Sequence, residues 1–313
     1  MIIGHRHILN FFETAAQRGQ LSHAYGFIGP RGIGKRAVAY EIAARLLNVS
    51  EDKLARNPDF ILVQRGEDEK TGKLKKEITV AEARELKKSL QHTSWQKGNR
   101  VIVIDGAEFL NSESGNALLK LLEEPPERIF FILLIENEGA VLSTIRSRLQ
   151  LFYFSLVKTL EISTALELRG VPSEQAEIYA RRAHGRPGRA LSFMENENAE
   201  RYDDLLETFQ KLVGAPFYKK IQLIEKLYGA KEDGERGRTE WQEILETWIS
   251  WFRDWLLKKH GAAQFAGEPK LSAGISFSSS ELVNIIDSFQ RTKKLLHQNA
   301  HPRLAIESAL LKI

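Results

Sequence analysis

Over the first half of the chain, short runs of consecutive apolar residues alternate with longer stretches in which apolar positions recur every three or four residues. Tyr25-Gly26-Phe27-Ile28, Asp59-Phe60-Ile61-Leu62-Val63, Val101-Ile102-Val103-Ile104-Asp105, Ile129 to Ile135 and Leu149 to Phe154 predict about five strands. Nearly unbroken apolar runs of this length fit strands buried on both faces. Between them, Val38, Ile42 and Leu46 predict one helix face. Ala83, Leu86 and Leu90 predict a second behind a capping box at Thr79 and Glu82, and Leu118, Leu119 and Leu122 a third, ended by Pro125-Pro126. Strands separated by helices are the pattern of βαβ units, so an α/β domain with a parallel sheet is expected. Residues 64–77 are charged without an apolar period and read as a solvated loop or hairpin.

From residue 156 the strand signal stops and helical periodicity takes over. It breaks near 170–172, 185–188, 214–216, 229–238 and 260–277. The expected organisation is therefore an α/β domain over 1–155, a small helical domain over 156–212 and an all-α domain over 213–313. The length of 313 residues accommodates three such parts. Trp241, Trp248, Trp251 and Trp255 crowd one predicted helix with Leu245 and Phe252, which reads as the core of the last domain, with a subunit interface as the alternative.

Composition narrows the chemistry by exclusion. Hydrophobic residues at 42% and charged residues at 27% exclude general disorder. No apolar run approaches the roughly 20 residues that cross a bilayer. Met1 to His7 lacks the basic-then-apolar order of a signal peptide, so a cytoplasmic location away from membranes is expected. With no cysteine, disulfides, thiolate metal ligands and cysteine nucleophiles are all ruled out. His5, His7 and His23 read as surface or capping residues, and no metal site is expected. A net charge of +4 permits nucleic acid without identifying it. Lys219-Lys220 and Lys258-Lys259-His260 read as solvated faces, with DNA contact as the alternative.

The candidate chemistry lies in Gly29-Pro30-Arg31-Gly32-Ile33-Gly34-Lys35-Arg36, between the first strand and the first helix. Gly29, Gly32, Gly34 and Lys35 have the spacing of a phosphate-binding P-loop, whose backbone N–H groups cradle phosphates while the lysine reaches them. The final position requires the hydroxyl of Ser or Thr to hold Mg²⁺. Here it is Arg36, a cation with no lone pair to give a metal. The strand that should complete the site ends in Asp105, a metal-supporting carboxylate, but the next residue is Gly106 where a general base is needed. Such a base is typically worth about 10²–10⁴ in rate. Glu108 is the remaining candidate base, although it is expected to lie beyond the strand end. Taken alone, the three glycines also fit a plain tight turn; joined to Lys35 and Asp105 they point to a vestigial nucleotide site.

Several segments carry a resemblance. His23-Ala24-Tyr25, Gly29 to Lys35, Asn57-Pro58-Asp59, Asn116 to Pro126 (NALLKLLEEPP) and Ser143-Thr144-Ile145-Arg146-Ser147-Arg148 resemble, in order and spacing, bacterial clamp-loader subunits of the AAA+ class in the DNA polymerase III holoenzyme. The similarity is greatest to the delta-prime branch, whose own nucleotide site is usually degenerate. Gly185-Arg186-Pro187-Gly188-Arg189-Ala190 resembles that family's helical lid, and Asn299 to Leu311 its terminal collar helix. The zinc-binding cysteines common in the family are missing from Asn48 to Arg56, so no zinc module is expected, and the family's Ser-Arg-Cys becomes Ser147-Arg148-Leu149.

The resemblance implies an AAA+ P-loop domain, a lid and a collar in a subunit that hydrolyses no ATP itself and needs no cofactor. It implies that Arg148 acts as a trans arginine finger on ATP held by a neighbouring subunit. Without the resemblance, Arg146 and Arg148 read as surface ion pairs. The partners it implies are the motor (tau/gamma) and delta subunits, with the sliding clamp and primer-template DNA reached through the complex. Two alternatives stand beside it. One is an active AAA+ motor subunit, with Glu108 replacing the missing base; the other is a stand-alone DNA-binding protein on a vestigial P-loop fold, which the small net charge disfavours.

Overall fold

The computed structural model describes residues 2–67, 75–82, 85–86, 98–125, 127–228, 235–262, 276–298 and 300–313. The chain divides into two compact units, one of Met1–Ala165 with Gly185–Arg189, the other of Leu166–His184 with Ala190–Ile313.

The first unit is built on a sheet of five strands: β1 (Ala24–Ile28), β2 (Phe60–Val63), β3 (Arg100–Asp105), β4 (Ile129–Ile135) and β5 (Gln150–Tyr153). Their order is β2-β3-β4-β1-β5, and every pairing is parallel. All five coincide with apolar runs in the sequence. Alternate side chains point to opposite faces, and both faces are buried. Ile102, Ile104, Phe131 and Leu133 pack into one core, while Val101, Val103, Ile132 and Leu134 pack into the other. The second core also takes α1 (Arg6–Gln17), through Ile8 and Phe12, and α2 (Lys35–Leu47), through Val38 and Ile42. On the first face lies α4 (Ser112–Glu123), which buries Leu118 and Leu122 and is capped by the Asn111 side chain. The short helices α3 (Glu51–Leu54) and α5 (Ser143–Arg146) fill connections.

The helix α1 was not among the elements read from the sequence, although Ile8, Phe12 and Ala15 are buried at helical spacing. Glu82 accepts a hydrogen bond from the Thr79 backbone N–H, as its capping role requires, and Leu86 is buried. Ala83, Leu90, Pro126 and residues 68–74 of the charged stretch 64–77 lie outside the described residues.

An aromatic-rich helical core makes up most of the second unit. The helices α9 (Asn196–Leu212), α11 (Glu235–Lys259), α12 (Ser279–His297) and α13 (Pro302–Leu310) surround it. Trp241, Trp248 and Trp251 are buried there, and Phe209 stacks on Trp248 with ring centroids 4.4 Å apart. The tryptophans thus form a core, as their helical spacing suggested. Alongside run α7 (Ser173–Arg182) and α10 (Phe217–Tyr228), with α6 (Thr159–Glu167) and α8 (Pro187–Ser192) at the passages of the chain between units. Residues 235–238, expected in a break, are already helical, and a break not foreseen separates Ser192 from Asn196. Asn299 lies outside the described residues.

Candidate functional site

Ligand sites in parallel sheets form at the carboxyl ends of the strands where the order reverses. Here β4 lies between β1 and β3, so the loop after β1, Glu136 after β4 and Asp105 at the end of β3 meet at one edge. Gly29 continues the pairing with an N–H donated to the Ile135 carbonyl at 3.1 Å. Gly32 and Gly34 follow with φ of 78° and 112°, conformations that suit glycine and let α2 start at Lys35. The loop therefore has the strand, turn and helix context that its spacing predicts.

Its charged groups are satisfied from within the chain. Lys35 is buried, and its ammonium donates to the carbonyls of Gly29 and Pro30. Burial lowers its pKa, opposed by the charges of Glu136, Glu108 and Asp105. The Arg36 guanidinium lies on Asp105: Nε donates to Oδ2 at 2.6 Å, Nη2 contacts the same oxygen, and Nη2 also reaches Gln64 at 3.4 Å. The carboxylate that would support Mg²⁺ is thus taken by a fixed cation. Arg36 itself brings no lone pair that a metal could use there. Overhead, the Gly188 N–H donates to the Gly32 carbonyl at 2.7 Å. A Cβ at Gly188 would lie 3.0 Å from that oxygen, so the close approach needs glycine.

Position 106 is closed to a side chain. Gly106 has φ of 83°, and a Cβ there would lie 2.6 Å from Cδ2 of Phe109, whose ring sits 3.8 Å beneath the Arg65 guanidinium. Glu108 does lie past the strand, in a single 3-10 turn over Ala107–Phe109, but that turn swings its carboxyl back toward the loop. Oε1 accepts from the Glu136 N–H at 3.1 Å, while Oε2 is buried and has no hydrogen-bond partner among the described residues. Burial pushes this carboxyl up to about 7, reinforced by Glu136 and opposed by Lys35. Gly29, Gly32, Gly34, Lys35 and Asp105 are therefore brought together, and Glu108 joins them more closely than its sequence position implied.

Arg148 stands apart from this group. It follows α5, with its side chain 35% exposed. Nη1 donates to the Thr144 carbonyl at 2.7 Å and to Ser147 Oγ at 3.3 Å, and Nη2 donates to Glu123 Oε1, the last residue of α4. Arg146 pairs separately with Glu138 at 3.5 Å. Both ion pairs of the plain surface reading are present.

Other readings are corrected. His5 is not a surface residue: it is buried, its ring lies 4.6 Å from that of Phe154, and its Nε2 bonds the Ile33 carbonyl inside the loop at 2.9 Å. His23 Nε2 bonds the Leu122 carbonyl in the last turn of α4, a capping contact that agrees with its reading. Lys220 is neither solvated nor free to face DNA, because it is buried with its ammonium on the carbonyls of Leu310 and Ile313. Lys259 donates to the Phe277 carbonyl at 2.6 Å. Among the described residues no group of histidines and carboxylates is arranged to hold a metal, and no helix is long and apolar enough to cross a membrane.

Residues 4–158 match the family described as DNA polymerase III, delta subunit. DNA polymerase III subunit tau of Bacillus subtilis is 26% identical over 341 residues, covering 100% of this chain and 60% of that protein. The delta' subunit of Pseudomonas aeruginosa is 34% identical over 145 residues, 42% of each chain. The chain thus spans less than two thirds of the length of these relatives. In fold it is similar to a gamma subunit-related protein of DNA polymerase III from Thermotoga maritima, with a TM-score of 0.52 at 16% identity over 96% of this chain and 97% of the other. Through residues 4–158 the chain belongs to the family described as DNA polymerase III, delta subunit.

Proposed function

We propose that this chain is a non-hydrolysing clamp-loader subunit of the DNA polymerase III holoenzyme. It supplies Arg148 in trans to ATP held by a neighbouring motor (tau/gamma) subunit. With delta it completes an assembly that opens the sliding clamp and places it on primer-template DNA. In this reading the first unit holds the AAA+ domain to about residue 155, followed by a lid to about 212 and a collar to 313.

The supporting observation is the contrast between two arginines. Arg36 occupies the carboxylate that a metal would need. Arg148 stands half-exposed on the surface of the same unit. A guanidinium delivered to another subunit's γ-phosphate stabilises charge that spreads over the phosphoryl oxygens as the bond to the leaving group breaks. Such fingers are worth about 10³–10⁵ in rate. The test is the ATPase of the reconstituted complex. The isolated chain is expected to show no turnover but to raise that of its motor partners, and Arg148→Ala should abolish the increase while assembly persists. Turnover by the isolated chain defeats the proposal.

A second reading, an active motor subunit, is favoured by one observation: Glu108 is a buried carboxyl with a pKa near 7 beside the P-loop lysine. A general base is best poised near the working pH. The same ATPase assay on the isolated chain separates the two.

A further inference from the structure

Arg148 uses both ends of its guanidinium in contacts within its own chain, and those contacts leave a fork of donors unused. Guanidinium carries five N–H groups in one plane. Three are engaged, two on Nη1 by the Thr144 carbonyl and Ser147 Oγ, and one on Nη2 by Glu123. The remaining pair, on Nε and Nη2, has no partner among the described residues. Two such donors fit two oxygens of one phosphate.

Glu123 is the charged member of this anchor. It ends α4, where a carboxylate opposes the negative end of the helix dipole and is disfavoured on its own. The guanidinium offsets that cost.

We infer that Glu123 is a positioning residue for Arg148. Its carboxylate, acting with the Thr144 carbonyl and the Ser147 hydroxyl, fixes the guanidinium plane so that the Nε and Nη2 donors face a neighbouring subunit's phosphate without a search through rotamers. A free arginine side chain carries about 2 kcal/mol of rotamer entropy. The inference rests on the proposed trans role of Arg148. It makes the ion pair and the finger two aspects of one arrangement.

The test uses the full complex with Glu123→Gln, Glu123→Asp and Arg148→Ala, alone and combined. An exposed pair contributes up to about 1 kcal/mol. Glu123→Gln should therefore lower the stimulated kcat about two- to fivefold, with KM for ATP and assembly unchanged, and Glu123→Asp should recover most of the loss. In the Arg148→Ala background, where the increase is already lost, Glu123→Gln should leave assembly and the remaining turnover unchanged. Loss of assembly or of that turnover there marks a merely structural role and overturns the inference, as does a rise in kcat on Glu123→Gln alone. An unchanged kcat on Glu123→Gln with stimulation lost on Arg148→Ala removes the positioning role and leaves the finger. Stimulation that survives Arg148→Ala removes both.

Discussion

The P-loop edge and the α5 turn each set an arginine against a carboxylate, and the two pairs have opposite consequences. Arg36 and Asp105 come from α2 and β3, 69 residues apart, and meet at the strand end where a metal would be held. Arg148 and Glu123 come from the turn after α5 and the end of α4, 25 residues apart. Arg36 is the more exposed of the two, its side chain 55% exposed against 35% for Arg148, and each guanidinium keeps two N–H donors without a partner among the described residues. Charge pairing and spare donors alone therefore say nothing about function. What differs is the partner carboxylate, which for Arg36 stands at the strand end beside the P-loop.

The sharpest way to break the comparison is to rebuild the catalytic edge. Gly106→Glu restores the residue type a hydrolytic site needs, but the backbone there is left-handed and Phe109 occupies the Cβ position. A non-glycine residue in that region costs about 1–2 kcal/mol, and overpacking adds about 1–3. The variant should lose about 2–5 kcal/mol in urea unfolding and gain no ATPase. Gly106→Ala should lose nearly as much, because the backbone and Cβ are responsible. A stable, active Gly106→Glu protein would mean that Phe109 yields easily and that the loss of the base was incidental.

Protonation of Glu108 is next in size. Its pKa stands near 7 in the folded protein against an ordinary value of 4.5. A raised carboxyl favours the folded state while protonated, so its contribution is fully present below about 4.5 and is lost as pH rises to 7. One pKa unit corresponds to about 1.4 kcal/mol, so the total is about 2–4 kcal/mol. Glu108→Gln should flatten this slope, leaving stability at pH 4.5 little changed and raising it at pH 8. Parallel stability profiles for the variant and the natural protein would show that the carboxyl does not titrate in this range.

Legibility in the sequence followed the range of the interaction. The five strands are near-continuous apolar runs, and a sheet buried on both faces leaves no polar alternation to mislead. The strand, turn and helix of the loop were legible because the glycine spacing and the Lys35-Arg36 pair are local. Contacts between residues far apart in the sequence were not. Lys220 reads as half of a solvated lysine pair, yet it is buried because Leu310 and Ile313 supply carbonyls roughly ninety residues on. His5 looked like a terminal surface residue because its partner, the Ile33 carbonyl, is a backbone atom with no sequence signature. Glu108 looked remote from the loop because residue count places it past the strand; only the turn of backbone at Ala107–Phe109 brings it back.

The smallest predicted effect is also the one that bears most directly on the contrast between the two arginines. Arg36→Thr replaces the guanidinium with the hydroxyl that a working loop carries and frees Asp105. Because Arg36 is mostly exposed, losing its ion pair should cost no more than about 1 kcal/mol in stability. Release of the carboxylate and removal of a cation from the metal position should tighten Mg²⁺-dependent binding of a fluorescent ATP analogue by about tenfold or less. Turnover should remain absent, since Gly106 still supplies no base. If Arg36→Thr binds and also hydrolyses ATP, and Glu108→Gln then removes that hydrolysis, the buried carboxyl is a base and Arg36 alone was suppressing a motor site. If binding tightens without turnover, the missing base at Gly106 is enough to keep the edge silent, and Glu108 does not replace it.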